Sequence, residues 1–157
     1  MIWHVALFNA LLIASCGYAL WCGGPPERIV GGSLLLAALA TMLSYSELAV
    51  RFRAVETGLL ATDLMLLAVL VLVALRADRG WPLVLAGLQV DTVGAHIVKA
   101  IDPRMISVTY ALMIAGWSYP MVILLAIGTW RHRCRLIRYG HDHSWYLRCA
   151  HTSDSAP

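Results

Sequence analysis

Leu64-Met65-Leu66-Leu67-Ala68-Val69-Leu70-Val71-Leu72-Val73-Ala74-Leu75 is a run without a single charge, closed by Arg76-Ala77-Asp78-Arg79-Gly80 and reopened by Trp81-Pro82. A crossing of the hydrocarbon core of a bilayer takes about 20 apolar residues in helical form. The run reaches that length if the helix begins near Val55. The five-residue connection that follows is too short for anything but an antiparallel return, so residues 55–75 and 81–101 form a helical hairpin. Proline in the first turn of the returning helix suits its fixed φ and missing N–H.

Working outward, the same punctuation recurs. Residues from about Trp3 to Cys22 form an apolar segment stopped by Gly23-Gly24-Pro25-Pro26, a sequence that ends a helix. A second segment runs from about Arg28 to Val50 and ends at Arg51-Phe52-Arg53. After residue 101, Asp102-Pro103 reads as an N-cap with proline at the first helical position, opening a fifth helix over 103–130. The fold class expected is all-α: a transmembrane helical bundle of about five spans (3–22, 28–50, 55–75, 81–101 and 103–130) over residues 1–130. Residues 131–157 form a basic, partly disordered tail.

Composition agrees. Of the 157 residues, 60% are hydrophobic and 13% charged, whereas a soluble domain is about 45–50% apolar. The formal charge of +3 is no sign of nucleic-acid binding, because basic residues concentrate in the last helix-flanking tail, where they suit a membrane surface. None of the four cysteines forms a C-x-x-C pair, so no disulfide framework is expected. Ile13-Ala14-Ser15-Cys16-Gly17 resembles a lipoprotein cleavage site, but no Lys or Arg precedes it and the apolar stretch continues past it, so it reads as part of a helix.

The arginines orient the bundle. With five crossings, one side holds Arg28, Arg76, Arg79 and the five tail arginines 131, 133, 135, 138 and 148, and the other holds the remaining four of the twelve basic residues. If the fourth segment, which carries Gln89, Asp91, His96 and Lys99, does not span, the division becomes seven against five, so the positive-inside rule favours five crossings with the N-terminus outside and the C-terminus in the cytoplasm.

Ionisable groups inside a membrane cost about 2.5–3.5 kcal/mol each on insertion scales and therefore need partners. On the fourth helix Gln89, Thr92, His96 and Lys99 share one face, and Gly87, Asp91, Gly94 and Val98 occupy a different one. A helix polar on two sides is expected to be surrounded by others. Folding the hairpin puts Asp63 at the depth of His96 and Glu56 near Lys99 by equal-rise counting. The expected intramembrane polar cluster is Glu56, Asp63, Gln89, Asp91, His96 and Lys99, with His4, Asn9, Glu47 and Tyr110 as contributors at similar depth. Its bland reading is structural pairing that fixes helix register. Proton relay, ion path or ligand site are its functional ones.

His132, Cys134, His141, His143, Cys149 and His151 put metal-ligating side chains in the tail, but at no standard zinc spacing and among arginines, so they are weak metal candidates. Trp145 and Tyr146 are expected to dip into the membrane interface. Ser107, Ala111 and Ala115 form a small-residue stripe for close packing of the fifth helix, and Trp117-Ser118-Tyr119 before Pro120 read as core packing, with the lining of a pocket as the alternative.

Asp63 to Trp130, including Arg76-Ala77-Asp78-Arg79, Trp81-Pro82, Gln89, His96, Lys99 to Pro103, Trp117 to Pro120 and Gly128 to Arg131, resembles a family of small, uncharacterised alphaproteobacterial inner-membrane proteins. The resemblance implies a multi-pass protein of the bacterial inner membrane and carries over no catalytic residue. No phosphate loop, nucleophile elbow, H-E-x-x-H or redox cysteine pair is present. The expectation is thus a small accessory or interaction subunit of a membrane complex, its partners being the bilayer and other membrane subunits or itself. A small transporter or proton-coupled permease using intramembrane Asp, His and Lys is the alternative, and a membrane-embedded redox-cofactor or metal-binding protein the third. No cofactor is named by the sequence.

Overall fold

A computed structural model describes residues 2–43, 57–101, 107–142 and 145. It is all-helical, with helices α1 (Ile2–Cys22), α2 (Pro25–Leu43), α3 (Thr57–Arg76), α4 (Trp81–Ile101) and α5 (Ser107–Tyr139). Four of these, α1 to α4, are long and apolar enough to cross a membrane. At 1.5 Å per residue, the 33 residues of α5 extend about 50 Å, well beyond a ~30 Å hydrocarbon core.

Two boundaries differ from the sequence reading. The second helix begins at Pro25 instead of Arg28. Gly24 acts as its N-cap residue, because its carbonyl accepts the N–H of Arg28, and both prolines then fall in the first turn, where no N–H is needed. The fifth helix runs on to Tyr139 instead of stopping at Trp130, so residues 131–139, expected in the tail, are helical. That helix ends at Gly140, whose φ of 72° is the left-handed cap conformation, its N–H donating to the Leu136 carbonyl. The expected extension of α2 to residue 50 and the starts of helices three and five at 55 and 103 lie outside the described residues.

Each helix packs on its chain neighbours α1·α2, α2·α3, α3·α4 and α4·α5, and α5 returns to α1, closing a ring that α2 and α5 bridge across. The shared core is made of Leu12, Cys16, Ala19, Val30, Leu34, Leu66, Leu70, Leu85 and Leu125, with others. The outward faces carry Leu36, Met65, Leu72, Leu75 and Leu83, all well exposed. Such a surface is stable against lipid tails and would aggregate in water. Trp3 and Trp21, near opposite ends of α1, project outward, as tryptophans do at the two membrane interfaces.

One end of the ring gathers the α1–α2 turn, the α3–α4 turn and the last turns of α5. Past Gly140 the chain folds back on that end: Trp145 forms an antiparallel bridge with Ala77 and packs against the core. Trp145, expected at the membrane interface, is thus partly buried against the bundle.

Candidate functional site

The first polar site joins α3 to α4. Asp63 lies one and a half turns into α3 and points across to α4, where Gln89 and His96, seven residues or two turns apart, share the inward face. His96 Nε2 is 2.8 Å from Asp63 Oδ2. The Gln89 amide donates to Asp63 Oδ1 at 3.0 Å and to the Asp63 main-chain carbonyl at 3.2 Å. Both carboxylate oxygens are thus engaged, and His96, Gln89 and Thr92 are buried, Thr92 closing its hydroxyl on the Leu88 carbonyl. Lys99 is buried one turn further along the same face. The Asp63 side chain keeps 20% of its surface exposed while His96 has none. Chemically, the arrangement is a carboxylate–imidazole couple that ties two helices and could hold or pass one proton.

Asp91 is not part of it. The face of α4 that carries Gly87, Asp91 and Val98 is exposed, with Gly94 half-buried at its edge. The expectation that α4 is surrounded by other helices is therefore corrected: α3 and α5 flank it, and its second polar face looks outward. Asn9 is half-buried on α1. Glu47 and Glu56 lie outside the described residues, as do the side chains of His4 and Tyr110 and the stripe Ser107, Ala111 and Ala115. Tyr119 meets Phe8 edge to face, ring centroids 5.2 Å apart, and Trp117 is exposed. The Tyr119 contact packs α5 on α1, as the packing reading of this segment has it, whereas Trp117 takes no part in the core.

The second polar site was not read from the sequence. Arg79, in the α3–α4 turn, extends its guanidinium into the end of the ring, pairing with Glu27 of the first turn of α2 and with Asp142 beyond α5. His132 of α5 places Nδ1 against Asp142 Oδ2 and 3.0 Å from Arg79 Nη2. Arg135 donates from Nε to Asp142 Oδ1 at 2.9 Å. Glu27, Arg79, His132 and Asp142 all have buried side chains. Burial raises the Asp142 pKa, but the hydrogen bonds from Arg135 and His132 and the charges of Arg79 and Arg135 outweigh it, holding the carboxyl below its ordinary value of 3.8.

Gly24 lets this junction pack closely, since a Cβ there would lie 3.0 Å from the His132 ring and 3.1 Å from Glu27 Oε2. The legible signal was topological: five successive antiparallel helices bring residues 23–28, 76–80 and 131–142 to one end, where Glu27 and Asp142 stand among arginines. Of the weak metal candidates, His132 is engaged by Asp142 and Arg79. Cys134 and His141 are described, and His143, Cys149 and His151 lie outside the described residues. Among the described residues no three His, Cys, Asp or Glu side chains come together to hold a metal ion. A pocket of about 400 Å³ at this end is lined by Asp78, Arg135, Tyr139, His141 and Asp142.

Comparison with known protein families, curated proteins and solved structures finds no match.

Proposed function

We propose that this chain is a small integral-membrane interaction subunit, working in a complex with other membrane proteins. The observation that carries it is the division of its polar groups. Asp63, Gln89 and His96 fasten α3 to α4, and Glu27, Arg79, His132 and Asp142 fasten the ends of α2, α3 and α5. Asp91, by contrast, points out of the bundle from the middle of a span. Internal ties of this kind rigidify a scaffold, and an outward ionisable group at membrane depth calls for a partner. Residence in a bacterial inner membrane, with the Arg79 end cytoplasmic, belongs to the same proposal and rests on the arginines gathered at that end. Purification of the tagged chain from native membranes in a mild detergent tests it. A stoichiometric membrane partner is expected, and a chain that runs alone at its own mass overturns the proposal.

The Asp63–His96 couple favours one second reading, a proton-coupled permease. Its test is proton uptake into vesicles containing the purified chain, abolished by Asp63→Asn. Tight vesicles in the presence of the protein would remove it.

A further inference from the structure

Asp91 is the eleventh of the 21 residues of α4, ten from either end, and so about 15 Å from each end of a helix long and apolar enough to cross a membrane. Its side chain is exposed on the outer face of the ring, and among the described residues it has no hydrogen-bond or ion-pair partner. An aspartate has too short a stem to reach water from that depth, unlike lysine or arginine. On either side of it the face is built for close approach. Gly87, one turn before, and Gly94, one turn after, have nothing within 4 Å of where a Cβ would stand. Val84, Gly87, Asp91, Gly94 and Val98 recur at alternating spacings of three and four, the repeat of a helix seam that meets another helix.

We infer that this seam docks a transmembrane helix of a different protein, one that carries a lysine or arginine at the middle of its span. Charge complementarity selects that occupant. In a medium without water a carboxylate is best satisfied by a cation that also donates hydrogen bonds. A second copy of this chain cannot supply one: no lysine or arginine occurs among residues 1–27, 29–50, 54–75, 80–98 or 105–130. Lys99 is buried and two residues from the end of α4. At the depth of Asp91 a symmetric copy offers only another Asp91. The glycines let the partner backbone come close enough for a short carboxylate to reach the cation.

The inference deepens the reading of the chain as an interaction subunit and can fail separately from it. The test uses the full chain, donor-labelled, in phosphatidylcholine vesicles, with acceptor-labelled synthetic helices of leucine and alanine carrying one central lysine, one lysine near an end, or none. Energy transfer is expected to report association at least about tenfold tighter with the central-lysine helix than with the other two. Asp91→Leu should abolish that preference, and Gly94→Leu should weaken binding to the central-lysine helix. Because Asp91 is exposed, Asp91→Leu is expected to keep the wild-type helical content and elution, which circular dichroism and gel filtration check. Equal association with all three helices overturns the inference, as does none, or an Asp91-dependent association of the chain with itself. A stoichiometric native partner retained by Asp91→Leu would also overturn it while leaving the interaction-subunit reading intact.

Discussion

His96 of α4 and Asp63 of α3 stand with Nε2 and Oδ2 2.8 Å apart, and the other oxygen of the same carboxylate is taken by Gln89. The short turn brings α3 and α4 into this register, and the shared carboxylate fastens it. Apolar helices in lipid slide with little penalty, since tails and leucines are equally apolar, whereas a carboxylate shared by two buried partners has one favourable position.

Replacing Asp63 should expose that dependence. Asp63→Leu removes the carboxylate from the buried His96 ring and leaves the Gln89 amide without its side-chain acceptor, at a cost of about 1–3 kcal/mol. The double variant Asp63→Leu/His96→Leu should lose less than the sum of the two single changes, because it removes both ends of the bond. Thermal unfolding of the four proteins in one detergent, followed by circular dichroism, gives the coupling directly; strict additivity would mean that the contact contributes nothing.

Arg79→Met should be among the most damaging single changes outside the apolar core. It leaves Glu27 buried without its cation, and breaking a buried pair from one side costs about 3–5 kcal/mol. Adding Glu27→Gln should restore part of the loss. Midpoints of thermal unfolding check both, with the double variant expected to lie above Arg79→Met alone.

Gly24→Ala should loosen the packing of the end of α5 on the α1–α2 turn. The added methyl meets the His132 ring at 3.0 Å and Glu27 at 3.1 Å, and His132 is held from its other side by Asp142. The half-buried thiol of Cys134 should then react faster with a water-soluble maleimide, whereas Gly32→Ala, where nothing lies within 4 Å, should leave the rate unchanged.

Asp142 gives the junction a pH dependence of defined sign. Its carboxyl is held below 3.8 in the folded protein, so its contribution to stability is fully present above the ordinary carboxylate range and is lost as pH falls through the depressed value. The difference in thermal midpoint between the wild type and Asp142→Asn should shrink as pH falls below 3.8. A difference that grows on acidification would contradict the pairing with Arg135, His132 and Arg79.

The sequence by itself determined the membrane bundle, the hairpin of α3 and α4 and the meeting of Asp63 with His96. These follow from local quantities: the length of an apolar run, a turn of five residues, and equal rise along two antiparallel helices. It was also enough to separate the Gln89–His96 face of α4 from the Asp91 face, because 100° per residue is a property of the helix alone. Only the tertiary structure decided which of those faces is inside, since that depends on where α5 returns, and α5 returns to α1 to close the ring. The pairing within the Arg79 junction was decided there too: topology brings the segments to one end but does not say which charges meet. Glu27, Arg79, His132 and Asp142 are spread over more than a hundred residues, and nothing local marks them as partners. Burial at the closed end of the ring makes their charges need one another, and burial is decided by the fold as a whole.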